Sequence, residues 1–335
     1  MKRSLEWRAI RRKRMRQIGA QGKGVWADLV GAIEQASRGG KKVAVGFSGG
    51  ADSVVLAEAS YRMGVKPLLF HFNHRWRGRV GDADERWVKA WGKKRGLRVV
   101  VGRAKQAGRT GEGEARVARW AFFQQAALKH KVGELWLAHH SDDQAETVFM
   151  QLLRGAGPDG LAGMAIRGKQ SGLDVVRPLL GLSRDVVRRA AREEGLRWRE
   201  DQTNHDGKGW RSRVRHKVLP YLSKVYGREV RGALCRAAEI LGGEREYWEK
   251  EIGKVSSHPD VREWRKKAVA WQRRAIRIWL DRFGCSGASF AEVEGVRNSV
   301  VSGKSVKWQL RGGWVRRSQN KLFWVRDIGR IAKRG

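Results

Sequence analysis

The chain has 335 residues, enough for about two domains, and its 71 Lys plus Arg against 34 Asp plus Glu give a formal net charge of +37. A hydrophobic content of 41% can bury a core, which excludes global disorder. No apolar run approaches the roughly 18 residues of a membrane helix, which excludes a helical membrane protein. So large a positive excess points to a polyanion, nucleic acid, as partner, with a lineage bias toward Arg as the plainer source of part of it. Only Cys235 and Cys285 occur, far apart, so there is neither a disulfide framework nor a C-x-x-C pair, and a reducing compartment, the cytoplasm, is expected.

Met1 to Gly24 is Arg-rich without an apolar stretch, and reads as a basic arm for RNA instead of a secretory signal. From Lys41 to about Leu180, short β-rich runs alternate with helical segments. The strands are expected at Val43–Phe47, Pro67–Phe72, Leu97–Val101, Glu134–Ala138 and Asp174–Leu180. Helices are expected near Asp52–Met63, Asp82–Arg95, Glu114–His130 and Asp142–Arg154. This alternation implies βαβ units and a doubly wound, mostly parallel sheet, whose ligands bind beyond the strands' carboxyl ends. Ser183–Glu194 reads as a further helix and Arg199–Gly209 as a polar loop. Arg211 to Phe283 is helical in pattern, and Ser289 with Glu292 forms a capping box. Strand-like alternation in Ser305–Leu310, Trp314–Arg316 and Leu322–Val325, with turns at Gly312-Gly313 and Asn320-Lys321, gives a small β-meander. The expected division is 1–24 as basic arm, 25–220 as an α/β nucleotide-binding domain, and 221–335 as a smaller helical plus β-meander domain.

Val43 to Ser53 (VAVGFSGGADS) carries the strongest chemical signal. A β-branched strand runs into Ser48, Gly49, Gly50, Ala51, Asp52 and Ser53, and a helix follows. Paired glycines let backbone N–H groups point at a phosphate, with the helix dipole behind them. It is not a Walker A loop, which needs G-x-x-x-x-G-K-[ST], and the G-K-S at Gly303–Ser305 has Asn298 where that pattern needs its first glycine. A carboxylate beside a phosphate loop would repel phosphate unless it holds a metal ion or positions a reacting group, which makes Asp52 a candidate for either role. Gly155–Gly160 matches G-x-G-x-x-G literally but follows a helix, and is read as a loop that Pro158 keeps from becoming a helix.

The strand at Leu135–Ala138 leads into His139 and His140 and then Ser141 to Thr147 (SDDQAET). Ser141 with Gln144 suggests a capping box, with the helix starting at Asp142. At 100° per residue Asp142, Asp143 and Glu146 share an arc of roughly 100°. They are either complements of the helix dipole or ligands for a cation or a substrate amine. His71, His74, His139 and His140 all sit at strand ends, but their spacing is not that of a closed zinc site, and contacts to phosphate or base suit them better.

Together these segments resemble the tRNA(Ile)-lysidine synthase family of pyrophosphatase-loop (PP-loop) enzymes, with an adenine nucleotide alpha hydrolase-like fold. Further matches are His71–His74 with Arg77-Gly78, Asp84-Glu85, the run His139–Thr147 continuing through Leu152–Gly157 and Gly160–Met164, then Arg177–Leu180, Glu200–Asn204 and Arg211–Pro220. The resemblance spans about Val43–Leu222. It implies ATP-dependent ligation of free L-lysine to the wobble cytidine of the CAU anticodon of tRNA(Ile), through an adenylated base, with release of pyrophosphate and then AMP. It also implies that Ser48, Gly49, Gly50, Ala51, Asp52 and Ser53 hold ATP, with Asp52 near Mg²⁺. Asp143 and Glu146 would bind the lysine ammonium, and Arg119 with Arg116 would stabilise the α-phosphate. Asp52, Arg119, Asp143 and Glu146 are thus the catalytic candidates, with His139, His140, Asp142 and Arg116 second to them. His140 or a carboxylate would take the amine's proton. Arg154, Arg211, Arg213 and Arg215 are the expected tRNA contacts.

Two features depart from the family. Ser212 stands where its R-N-x-[IV]-R pattern has Asn, and the chain is short for the extra C-terminal domain of longer members. Acceptor-stem recognition is therefore expected after Tyr221. The oligomeric state is open, with a homodimer as one option. The alternatives are a PP-loop tRNA thiolase, which would need cysteines that this reading puts outside the ATP domain, an amidotransferase-like synthetase, and a non-catalytic RNA-binding protein.

Overall fold

The computed structural model describes residues 24–37, 40–76, 78–105, 111–200, 209–285, 287–302 and 307–327. The basic arm before Gly24, Arg77, the Asp201–Asn204 part of one matched motif, and the Gly303–Ser305 stretch lie outside them. The chain divides into two compact units, Met1–Gly242 and Gly243–Gly335. Among the described residues no helix is long and apolar enough to cross a membrane.

The first unit is built on a six-stranded sheet in the order β3-β2-β1-β4-β6-β5. Its strands are β1 (Val43–Gly46), β2 (Leu68–Asn73), β3 (Val99–Arg103), β4 (Glu134–Trp136), β5 (Arg167–Gln170) and β6 (Leu173–Val176). All neighbours are parallel except β5, which runs antiparallel to β6 at the edge. Alternate residues serve opposite faces, as the strand period requires. Val43, Val45, Leu69, Trp136 and Val176 join one core with helices α1 (Val25–Ala36) and α2 (Ala51–Arg62). Ala44, Leu68, Phe70, Leu135 and Val175 join another, under Trp120 and Phe123. Chain direction across the sheet reverses between β1 and β4, so the loops after these two strands flank the crevice where a doubly wound sheet binds its ligand.

The remaining helices of this unit are α3 (Arg79–Lys94), α4 (Glu112–Lys129), α5 (Ser141–Leu153), α6 (Pro158–Leu161), α7 (Arg184–Glu193), α8 (Trp210–Arg213), α9 (Leu219–Tyr226) and α10 (Val230–Ile252), the last running on into the second unit. Several details differ from expectation. Helix α1 was not anticipated, although Trp26, Leu29, Val30 and Ile33 fall at helical spacing and are all buried. The expected strand at Asp174–Leu180 ends at Val176, and its antiparallel partner β5 was unforeseen, since its burial is only partial and its sequence, RGKQ, is polar. Pro158 begins the single turn α6 after the N-cap Gly157; a proline at the first position lacks only an N–H that would be unpaired anyway. Between α8 and α9, Val214–Val218 forms a wider π-type turn just before Pro220, which has no N–H to give to a regular helix.

In the second unit, α11 (Val261–Arg265), α12 (Val269–Asp281) and α13 (Phe290–Val301) pack with an antiparallel meander of β7 (Lys307–Leu310), β8 (Gly313–Ser318) and β9 (Lys321–Arg326). Trp279, Ile276, Val296 and Val315 are wholly buried at its centre. The capping box at Ser289 forms as expected: the Glu292 N–H donates to Ser289 Oγ at 3.2 Å, and the Ser289 N–H to Glu292 Oε2 at 2.6 Å. Both hairpin turns fall one residue earlier than expected, at Arg311-Gly312 and Gln319-Asn320. Gly312 and Gln319 there adopt positive φ (86° and 52°), as these tight turns require.

Candidate active site

The loop after β1 is shaped by its own serines. Ser53 Oγ donates to Gly50 O at 2.9 Å and accepts from the Gly49 N–H at 3.2 Å, while Ser48 Oγ accepts from the Gly50 N–H at 3.2 Å. Gly49 holds φ at 89°, a conformation that a side chain would strain. Its carbonyl accepts the Arg199 N–H at 2.9 Å, which fastens the loop to chain beyond α7. Gly50 then caps α2 without any side-chain hydrogen bond, so no N-cap side chain occupies the first-turn amides.

Asp52 points from this turn toward the loop after β4. Its Oδ2 lies 3.7 Å from His140 Nε2, and its Oδ1 is buried with no partner among the described residues. Burial raises the Asp52 carboxyl above its ordinary value, opposed by His140, Arg184 and Arg188 and reinforced by Asp143. His140 is nearly inaccessible and stands between the two halves of the site, with Nε2 also 3.4 Å from Asp143 Oδ2 and Nδ1 3.7 Å from Asp142 Oδ2. It is also the N-cap of α5: its N–H donates to Asp143 Oδ2 at 3.1 Å. The helix therefore starts one residue earlier than the expected Ser141–Gln144 box. Gln144 instead clamps Met164, accepting its N–H at 2.8 Å and donating to its carbonyl at 3.0 Å.

The three carboxylates of α5 diverge. Asp142 accepts the main-chain N–H of Arg184 at 2.9 Å and lies 3.7 Å from Arg231. Asp143 and Glu146 face the other way, onto Arg211 and Arg215, the same arginines that the sequence reading assigned to tRNA phosphates. Arg211 Nε donates to Glu146 at 2.7 Å and its Nη2 to Asp143 at 3.3 Å. Arg215 donates to Asp143 at 2.9 Å and through both Nε and Nη2 to Glu146. One turn apart, the two guanidiniums align with two carboxylates one turn apart. Burial alone would raise the Asp143 carboxyl, but His140, His139, Arg211 and Arg215 outweigh it and hold it below its ordinary value.

Arg119 and Arg116 approach from α4. Burial lowers both guanidiniums from their ordinary value, helped by Arg211 and by each other's charge at Arg119, and among the described residues neither has a carboxylate partner. His139 is half-buried with its Nδ1 inaccessible and unpartnered, and desolvation drives it down to about 3, so it is neutral at pH 7. His71 Nδ1 lies 2.9 Å from Phe47 O, and His74 meets the Phe72 ring edge-on and the Trp76 ring at a tilt. Arg154 and Arg213 are not part of this cluster: Arg154 is exposed at the far end of α5, about 12 Å beyond Glu146 along the helix, and Arg213 is exposed over the Trp210 ring. Asp84 and Glu85 are structural, Asp84 holding Arg199 at 2.8 Å and the buried Glu85 holding Arg103 and Lys89.

Cys235 lies beyond residues 25–220 but within the first compact unit, where its thiol donates to Ser141 O at 3.2 Å, because α10 folds back on the start of α5. Burial first, then Asp142, pushes this thiol up, which disfavours the thiolate that sulfur chemistry needs. Arg184 and Arg188 were not singled out in the sequence. Their one signal was the Ser183 N-cap, which puts two arginines in the first turns of a helix beside the loop. Among the described residues no cluster of three or more His, Cys, Asp or Glu side chains is gathered as a metal site.

Comparison with known proteins adds to this geometry. The PP-loop domain family matches residues 27–222, and the TilS substrate binding domain family matches residues 260–323. The chain is 33% identical over 302 residues to the tRNA(Ile)-lysidine synthase of Solibacter usitatus, covering 86% of this chain and 67% of the relative. It is 31% identical to those of Vibrio parahaemolyticus, covering 85% and 68%, and Thermosynechococcus vestitus, covering 82% and 83%. Among solved structures, the U34-tRNA thiolase NcsA from Methanococcus maripaludis superposes with a TM-score of 0.53 over 64% of this chain and 79% of that one, at 20% identity, a likeness of fold alone. A PP-loop unit with Asp52 beside a paired-carboxylate helix, followed by a TilS substrate binding domain, places the chain in the tRNA(Ile)-lysidine synthase family.

Proposed function

We infer that this chain is an ATP-dependent ligase that joins the ε-amine of free L-lysine to the wobble cytidine of tRNA(Ile) bearing a CAU anticodon. The observation that carries the reading is the short path between two sites. His140 lies 3.7 Å from Asp52 on the phosphate side and 3.4 Å from Asp143 on the carboxylate side. A base adenylated over the first site is thus within reach of an amine held at the second, the proximity that a two-step transfer needs.

In the first step the cytidine carbonyl oxygen attacks the α-phosphorus of ATP and pyrophosphate leaves. The α2 amides hold phosphate, and Arg119 with Arg116 offsets charge on the α-phosphate. Asp52, with its unpartnered oxygen, suits an Mg²⁺ shared with the phosphates, since that ion is commonly held by one or two carboxylates plus substrate oxygens. When bound, the ion would neutralise phosphate charge. In the second step the amine attacks the activated carbon and AMP is expelled. Lysine arrives protonated, with a pKa of about 10.4. Asp143 and Glu146 receive the ammonium, which takes the place of a guanidinium on Asp143, and a carboxylate or His140 accepts the proton. The released arginine, with Arg213 and Arg154, is then available to tRNA phosphate.

On this reading residues 25–220 are catalytic and 221–335 bind tRNA, in the cytoplasm. The thiolase alternative is disfavoured by a lone, protonated Cys235 and by Cys285, which is buried in the second unit. The test is transfer of labelled lysine into isoleucine tRNA, with AMP release measured alongside. Release that does not depend on lysine would sink the reading.

A further inference from the structure

We propose that Arg184 and Arg188, one turn apart on α7, hold the β- and γ-phosphates of ATP and take up the charge of the departing pyrophosphate. The assignment deepens the ligase reading and rests on it.

Helix α7 is tied to both loops of the site. At its start, the Ser141 N–H donates to Leu182 O at 2.8 Å and the Arg184 N–H donates to Asp142 Oδ2 at 2.9 Å. Beyond its end, the Arg199 N–H reaches Gly49 O in the phosphate loop. Val187, Ala190 and Ala191 pack into the core shared with α2, which sets the register of the helix against that loop. Arg184 and Arg188 sit one turn apart beside this stripe, and their charge acts on Asp52 in the first turn of α2.

Among the described residues these two cations make no direct ion pair, although Asp52 and Asp142 offset part of the Arg184 charge. The Nε atoms of both are buried without a hydrogen bond, and among the described residues neither guanidinium has a carboxylate partner. Arg62, across the same packing surface, is by contrast held by Glu58 and by Glu194 at the far end of α7. Burial first, then Arg188 and Arg215, lower the Arg184 guanidinium from its ordinary value, and Asp52 and Asp142 oppose the shift without cancelling it. Like charges at this spacing repel, and partly buried cations without partners are costly. A polyanion lying between them and the α2 amides relieves both costs.

The chemistry supplies that polyanion. When the bond from cytidine oxygen to the α-phosphorus forms, the bond from that phosphorus to the bridging oxygen breaks, and its electron pair leaves on pyrophosphate. Arg119 and Arg116 approach from α4, on one face of the sheet, and Arg184 and Arg188 from α7, on the other. The first pair serves the phosphate that stays in AMP, and the second serves the two that leave.

The test is calorimetric titration of the full chain with ATP, inorganic pyrophosphate and AMP, in Mg²⁺, for wild type, Arg184→Gln, Arg188→Gln and Arg189→Gln. Arg184→Gln keeps the main-chain bond to Asp142, and Arg189 is an exposed control on the same helix. Each of the first two variants is expected to weaken ATP and pyrophosphate by about 10- to 100-fold, the loss of one charge-assisted contact, while AMP stays within about twofold and Arg188→Lys recovers part of the loss. Unchanged pyrophosphate affinity in both variants, or an equal loss for AMP, overturns the assignment. Neither result touches lysine-dependent AMP release by the wild type, whose absence would overturn the ligase reading instead.

Discussion

Glu146→Ala is expected to destabilise the first unit by about 2–4 kcal/mol. Glu146 is 1% exposed and accepts from both Arg211 and Arg215, so its loss strands two guanidiniums where water has little access. Removing one member of a buried ion pair typically costs about 3–5 kcal/mol. Arg211 and Arg215 are 32% and 22% exposed and Arg215 keeps Asp143 at 2.9 Å, which brings the figure toward the lower end. The measurement is urea unfolding with hydrogen exchange read on the α5 amides, which isolates this unit from the second. Glu146→Gln, which retains an acceptor, should lose about half as much. Adding Arg211→Met and Arg215→Met to Glu146→Leu should restore much of the loss, because an apolar replacement removes the stranded charges. A loss below about 1 kcal/mol with α5 protection unchanged would refute the pairing on which the estimate rests.

Asp143→Ala should abolish lysine incorporation in the transfer assay while tRNA retention in filter binding is largely kept; loss of tRNA binding would reassign α5 to an RNA contact. Gly49→Ala forces a side chain onto a residue at φ 89°, 3.3 Å from Val88 Cγ2, and the strain of about 1–2 kcal/mol should weaken ATP about tenfold by calorimetry. Gly295→Ala drives a Cβ into the Trp308 indole, so the second unit should lose about 1–3 kcal/mol in thermal unfolding. His74 and His139 are pushed down to about 4 and about 3, chiefly by burial. Their folded values lie below the unfolded one, so the stability they confer is complete above pH 6.5 or so and is lost as pH falls toward those values. Urea midpoints of the first unit should therefore drop between pH 7 and pH 4, and less steeply in His74→Phe.

What could be read from the residues alone was what is written locally. Val43–Ser53 shows its strand, its turn and its helix within eleven consecutive positions, and α5 shows its carboxylates by spacing. Helix α1 is written just as locally, in the helical spacing of Trp26, Leu29, Val30 and Ile33. The edge strand β5 has no apolar alternation, so nothing local distinguishes it from loop. The pairing of Arg211 and Arg215 with Asp143 and Glu146 joins segments 65 to 72 residues apart, and no periodicity encodes a contact of that range. The same holds for Cys235 against Ser141, where only the path of α10 brings the two together.

The hydrogen bond from Arg199 to Gly49 has a consequence for how the chain matures on the ribosome. The phosphate loop emerges early, but the residue that pins its carbonyl follows about 150 positions later, and β4, the parallel neighbour of β1, about 90 positions later. Parallel pairing across such distances forms slowly. Synthesis must therefore pass α7 before the nucleotide pocket closes, and nascent chains shorter than this should not be protected by ATP.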